Sequence, residues 1–125
     1  MVKFLSDEYF SLVQSALSQD PKWSESTKTL KTSIAFNVTD IGQNYLLGVE
    51  NGTTTLQKVA PGTPAEFSLD GSYESWCKIA QGDVDIQSAV LKGQLRFKGS
   101  LTKVLMYRDR FIRVAEIMRE VPKEF

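Results

Sequence analysis

The sequence predicts an α+β domain in which helices cover a mostly antiparallel sheet. Three observations lead to this class. Residues 30–59 alternate apolar and polar side chains, as half-buried strands do. Gly, Pro, Asn and Asp separate these runs at the positions expected of turns. The flanking segments carry apolar residues at helical spacing. Because the strands come mainly in one run, the order α-β-β-β-β-α-α-β-α favours α+β over an alternating α/β fold.

An antiparallel meander of three strands is predicted at 30–38, 44–50 and 53–59. Ile34 and Phe36 alternate with polar neighbours in the first strand. The Asn51-Gly52 dipeptide is a strong signal for a tight hairpin between the second and third strands. One side of this meander is therefore expected to be buried, and the other to face water.

Helices are predicted before and after the meander. The first begins at the capping residue Ser6, ends near Ser18, and is followed by Pro21 as a stop. The remaining elements are a strand at 65–69, a helix from Ser72 to about Ala80 ended by Gly82, a shorter helix capped by Asp83 or Asp85, a strand at 95–98, and one final helix from the capping residue Ser100 to Val121.

The composition limits the chemistry of the chain. Its 125 residues form one domain, 1–125. The absence of histidine removes Ser-His and Cys-His nucleophilic sites and the commonest transition-metal ligand. Cys77 is the only cysteine, which excludes an internal disulfide and suggests a cytoplasmic protein. Asp83 and Asp85 are interpreted as caps and Cys77 as a packing residue, so neither an enzymatic activity nor a metal or other cofactor is expected.

The zero net charge of the chain is unevenly distributed. Residues 1–91 hold 6 lysines and 11 acids, a balance of −5, and residues 92–125 hold 9 basic residues and 4 acids, a balance of +5. All five arginines lie in the second segment. This segment is a candidate surface for an anionic headgroup, although arginine is also common at exposed helix positions. Acids interleave with the basic residues, so nucleic-acid binding is not indicated.

One long stretch carries the pattern of a known family. Residues 67–111 read FSLDGSYESWCKIAQGDVDIQSAVLKGQLRFKGSLTKVLMYRDRF. They combine a helix containing Trp76 and Ile79, a Gly82-Asp83 pair, a short apolar helix, Gly93-Gln94-Leu95 and a closing glycine. This combination of spacings resembles the sterol carrier protein 2 (SCP2) family. Ser100 stands where that family usually has an acidic residue, and serine also caps a helix.

The resemblance implies a five-stranded sheet covered by helices, with an apolar tunnel between the layers that holds a lipid. The implied function is non-enzymatic binding or transfer of a fatty acid, fatty acyl-CoA, isoprenoid or sterol-like ligand, with transient contact with a membrane surface. Apolar residues alone do not distinguish such a cavity from an ordinary filled core. The candidate cavity residues are Phe36, Phe67, Trp76, Ile79, Ile86, Val90, Leu105, Phe111, Ile112 and Met118, and the candidate headgroup residues are Arg108 and Arg113.

A second hypothesis uses the same fold differently. The domain could have a filled core and serve as an accessory module that docks on an enzyme partner. A binding protein should carry lipid, whereas an interaction module should have a collapsed interior and an exposed apolar patch.

Overall fold

The computed structural model describes residues 2–125, which form six helices and five strands. The helices are α1 Asp7–Gln19, α2 Pro21–Ser26, α3 Tyr73–Gln81, α4 Ile86–Leu91, α5 Leu101–Met106 and α6 Arg108–Glu120. The strands are β1 Lys31–Val38, β2 Gln43–Glu50, β3 Thr53–Lys58, β4 Phe67–Gly71 and β5 Leu95–Lys98.

The five strands form one mixed sheet in the order β3-β2-β1-β4-β5. The predicted meander is confirmed, since β2 pairs antiparallel with both β1 and β3. Asn51 and Gly52 make the predicted tight turn with φ of 48° and 86°. β4 lies parallel to β1, with Ile34 opposite Phe67, and β5 pairs antiparallel with β4. The sheet is therefore mostly antiparallel, with one parallel pair at its centre.

The two faces of the sheet differ in chemistry. Ile34, Phe36 and Val38 of β1 are buried beneath the helices, as are Phe67 and Leu69 of β4. The intervening residues point to the opposite face, which is polar and faces the chain that crosses from β3 to β4. The period of two in each strand thus builds a single apolar layer between the sheet and the helices.

The structure has two more helices than the sequence predicts: α2 follows α1, and the predicted last helix is divided into α5 and α6. α1 ends at Gln19, before Pro21, as predicted, and Pro21 also begins α2, because a proline at the first helical position loses no hydrogen bond. The Asp20 carboxylate caps this helix by accepting from the Trp23 amide at 2.9 Å. Trp23 is buried and donates from Nε1 to Thr54 Oγ1 at 2.8 Å, which anchors the helix to the sheet.

The predicted final helix is interrupted at Tyr107. This residue leaves the helical conformation, with φ −101° and ψ 11°, and separates α5 from α6. Its ring packs edge-to-face against Phe67, with 5.9 Å between the ring centroids. The break lets α6 pack its own apolar side on the core while α5 lies at the surface.

Candidate functional site

A cluster of four aromatic rings occupies one end of the apolar layer. Phe67 is fully buried at its centre. The Phe97 ring is roughly parallel to it at 6.0 Å, and the rings of Tyr107 and Phe111 meet it edge-on at 5.9 and 5.5 Å. The four rings come from β4, β5, the α5–α6 junction and α6. They therefore join the last two strands to α6 and to the α5–α6 junction.

A second aromatic contact continues the apolar layer toward the middle of the sheet. Phe36 of β1 meets Trp76 of α3 edge-on, with 5.6 Å between centroids. Trp76 Nε1 donates to the backbone oxygen of Asn37 at 3.2 Å, so its polar atom has a partner and its rings remain in the apolar layer. Ile79 and Met118 are also buried in this apolar layer.

Eight of the ten predicted cavity residues lie in or against this layer. Ile86 and Val90 of α4 are partly buried against it, and the other six are at least about nine-tenths buried: Phe36, Phe67, Trp76, Ile79, Phe111 and Met118. Leu105 and Ile112 do not reach it, since they are 72% and 46% exposed. Their inclusion assumed one continuous helix, and the break at Tyr107 places both at the surface. Whether the eight contact a ligand stays a prediction.

Arg113 does not present a free guanidinium. Its Nε and Nη2 donate to the two carboxylate oxygens of Asp20 at 2.8 and 2.7 Å, and both side chains are largely shielded from water. The bidentate pair lowers the pKa of Asp20 and raises that of Arg113. Arg113 thus joins α6 to the α1–α2 junction. Of the two predicted headgroup residues, only Arg108 is exposed and without a carboxylate partner among residues 2–125.

The buried hydroxyls of the core are already used by the protein. Tyr9 Oη donates to the Met118 carbonyl at 2.8 Å, and Tyr45 Oη donates to the Leu5 carbonyl at 3.0 Å. Burial raises the pKa of both tyrosines, so both are neutral at physiological pH. In the described residues, Oε1 of Gln94 is the one buried side-chain oxygen or nitrogen without a hydrogen-bond partner. The layer is therefore suited to an apolar chain rather than to a polar headgroup.

Two open grooves lie elsewhere, on the polar face of the sheet. One, of about 470 Å³, runs beneath the segment that connects β3 to β4. Asn37 Nδ2 and Ser68 Oγ both donate there to Asp70 Oδ1, at 2.6 and 3.0 Å. The other, of about 750 Å³, lies over β1, β2 and β3 near Gly48. None of the predicted cavity residues lines either groove.

Asp85 and Cys77 lie in the capping and packing positions expected from the sequence, whereas Asp83 is not the cap of α4. Asp85 Oδ1 accepts from the Ser88 amide at 2.7 Å and caps α4. Cys77 is half-buried, and burial raises the pKa of its thiol, which keeps it protonated and weakly nucleophilic. Residues 2–125 contain no cluster of three or more carboxylate or thiol side chains able to hold a metal ion. Nor does any helix within them have the length and apolarity required to cross a bilayer.

Two residues of the aromatic cluster, Phe97 and Tyr107, are not among the residues predicted for the cavity. Phe97 alternates with Leu95 in the short fifth strand, and this alternation is the sequence signal for its burial. Tyr107 carries no such signal, because it lies in a stretch that reads as uninterrupted helix.

Comparison with known proteins agrees with this architecture. Residues 13–111 match the model of the SCP-2 sterol transfer family. The chain belongs to this family. Comparison with curated proteins finds no matching sequence.

Solved structures share the fold at low sequence identity. A crystal structure of sterol carrier protein 2 superposes with a TM-score of 0.82 at 18% identity, over 94% of this chain and 98% of that one. Sterol carrier protein 2 from Aedes aegypti, in complex with palmitate, gives 0.57 at 18% identity, over 84% of this chain and 92% of that one. The sec-alkylsulfatase Pisa1 from Pseudomonas sp. gives 0.54 at 16% identity, over 82% of this chain but 14% of the enzyme. At such identities these likenesses establish the fold alone.

Proposed function

We propose that this SCP2-family domain binds one lipid noncovalently, with the acyl or hydrocarbon part held between the sheet and the helices, and transfers it without catalysing a reaction. The observation that carries the proposal is the apolar layer around Phe67 and Trp76. This layer is rich in aromatic rings, and the polar atoms of Tyr9, Tyr45 and Trp76 at its edge are already paired. An acyl chain placed there would leave none of these groups unsatisfied.

Of the helices that follow β5, α5 is the one whose displacement costs least. This helix contributes no fully buried residue, and only Val104 packs partly against the core. Moving it exposes little apolar surface, whereas moving α6 would uncover Phe111, Val114 and Ile117. We therefore expect the ligand to enter beneath α5, next to the rings of Phe97 and Tyr107.

The proposed ligand class follows from the chemistry of this layer. Burial of each methylene contributes about 0.8 kcal/mol, so ten methylenes supply roughly 8 kcal/mol before the costs of association. The palmitate complex of the Aedes aegypti relative supports a fatty acid or fatty acyl ester as the first candidate. Isoprenoid and sterol-like ligands remain within the same class. The headgroup would remain at the surface, where Arg108 is available.

Titration with palmitate tests the proposal. Tryptophan emission is a suitable signal, because Trp76 lies in the proposed site, whereas Trp23 lies in α2 and bonds to Thr54 of β3, at the opposite edge of the sheet from β5. The Trp76→Phe variant should lose the ligand-dependent change, while Trp23→Phe should keep it. Saturable binding of one palmitate per chain is expected. An absence of saturable binding across fatty acid, acyl-CoA and sterol probes would contradict the proposal.

A second candidate function is supported by the alkylsulfatase. There a domain of this fold accounts for a small part of an enzyme chain. In this reading the domain is an accessory module with a filled core, and an enzyme partner covers its exposed apolar surface. Copurification of a stoichiometric protein partner, together with no bound or acquired lipid, would favour this function.

A further inference from the structure

Both ends of α5 lie against the same aromatic ring. Gly99 precedes the helix, and a Cβ at this position would meet Cδ1 of Phe67 at 2.7 Å. Tyr107 follows the helix, and its ring packs edge-on against Phe67 with 5.9 Å between the centroids. Between these two points α5 itself has no buried residue. The helix is therefore connected to the aromatic cluster at its two ends and only weakly held along its length.

The contacts in the middle of α5 are weak. Val104 packs against the core but is only partly buried. Lys103 Nζ lies 3.4 Å from Oε2 of Glu66, and the lysine side chain is 52% exposed. Exposed ion pairs of this kind contribute little to stability. The contact at the C-terminal end of α5 is built differently.

Arg110 of α6 connects the C-terminal ends of two other helices. Its Nε and Nη2 donate to the Ser26 carbonyl of α2 at 3.1 and 2.9 Å, and its Nη1 donates to the Met106 carbonyl of α5 at 3.2 Å. The guanidinium also lies 5.7 Å from the centroid of the Tyr107 ring. Carbonyls in the last turn of a helix lack partners within it, and the helix dipole favours a cation there. The planar fork of arginine reaches both carbonyls at once.

We propose that Arg110 holds α5 in its observed position beside the proposed lipid site, and that its bond to Met106 must break before a lipid enters or leaves. The two bonds to Ser26 fix the guanidinium to the body of the domain, because α2 is anchored through the buried Trp23. The bond to Met106 is the exposed one of the three, so water can replace it when α5 moves. Arg110 is thus a positioning residue, and the inference rests on the proposed lipid function.

Hydrogen exchange of the α5 amides in the ligand-free protein measures this opening directly. The reporters are Val104 and Tyr107, whose amides donate to the carbonyls of Ser100 and Lys103. Arg110→Met keeps an unbranched side chain of similar length and removes its donors. The variant should exchange both reporter amides at least about tenfold faster than the unmodified chain, because a hydrogen bond from a charged group no longer opposes the local opening.

The kinetics of palmitate binding provide the second readout. Stopped-flow mixing should show that both the association and the release of palmitate become at least about tenfold faster in Arg110→Met. The dissociation constant should change by less than about threefold, since a contact that is the same with and without ligand cancels from the affinity. Arg110→Lys keeps the charge but loses the fork, so it should change the rates in the same direction. It serves alone if Arg110→Met does not fold.

Arg119→Met is the matched control. Arg119 is also on α6 and donates from Nε to a carbonyl near the end of a helix, but its acceptor is Ile79 of α3, at 3.3 Å. This variant should leave the reporter amides of α5 and the palmitate rates unchanged. The inference is overturned if Arg110→Met exchanges like the unmodified chain, if its palmitate rates stay the same, or if Arg119→Met has an equal effect. Faster exchange without any palmitate binding would instead reject the proposed lipid function and leave Arg110 as the residue that holds α5.

Discussion

Phe111→Asp distinguishes a ligand-binding wall from the neighbouring surface on the same helix. Phe111 is 9% exposed and packs edge-on against Phe67 at 5.5 Å, whereas Ile112 is 46% exposed. Loss of the Phe111 ring costs about 3 kcal/mol of unfolding free energy, and the unpaired carboxylate adds roughly 1–3 kcal/mol. Ile112→Asp should change that free energy by less than about 0.5 kcal/mol.

The same pair should differ in lipid affinity. A carboxylate in the wall would oppose an acyl chain by at least about 2.8 kcal/mol, which corresponds to a hundredfold weaker palmitate binding. Ile112→Asp should bind palmitate like the unmodified chain. Urea unfolding gives the stabilities, circular dichroism confirms the fold, and palmitate titration gives the affinities.

Two results would remove Phe111 from the ligand-binding wall or contradict the difference between the two sides of α6. One is a folded Phe111→Asp variant with unchanged palmitate affinity, which would remove Phe111 from the site. The other is an Ile112→Asp variant that loses affinity to the same extent, which would mean that the two sides of α6 are not distinguished as the structure describes. If Phe111→Asp does not fold, the uncharged Phe111→Gln serves in its place, with about tenfold weaker binding expected.

Two further predictions concern stability. Arg113→Ala should lower the unfolding free energy by about 1–2 kcal/mol at pH 7. Because the pair lowers the pKa of Asp20, its contribution to the unfolding free energy is complete above the ordinary aspartate pKa of about 3.9 and disappears as the pH falls through the lowered value. If the unfolding free energies of the variant and the unmodified chain differ by the same amount down to pH 2, the pair does not contribute in this way. Gly99→Ala should cost at least about 2 kcal/mol, because a Cβ there would meet Phe67 Cδ1 at 2.7 Å. Gly62→Ala is its control, since Gly62 also has a positive φ but no atom lies within 4 Å of the added carbon. Equal losses of stability for the two variants in thermal unfolding would count against the close approach at Gly99.

Local sequence signals determined the parts of the fold that could be predicted. The Asn51-Gly52 turn and the alternation in β1 specify the meander, because each depends on neighbouring residues alone. The serine caps at positions 6, 72 and 100 lie where the sequence places them, each accepting from a backbone amide three residues later. These signals suffice for the class of fold and for the order of most elements.

Features that depend on distant contacts could not be predicted in the same way. The parallel pairing of β4 with β1 joins residues more than thirty positions apart. The break at Tyr107 has no glycine or proline to mark it, and it arises where the tyrosine ring packs against Phe67. Without the break, the apolar residues of α5 and α6 read as one stripe, which is why Leu105 and Ile112 were included in the cavity. The Arg113–Asp20 pair likewise spans 93 positions.

Native mass spectrometry of the freshly purified protein, combined with organic extraction of the copurifying molecules, shows whether the domain carries a lipid. We expect a bound lipid in near-stoichiometric amount, or an apo protein that takes up one palmitate on addition. An apo mass together with no uptake of palmitate or of the other lipid probes would rule out the lipid-carrier function.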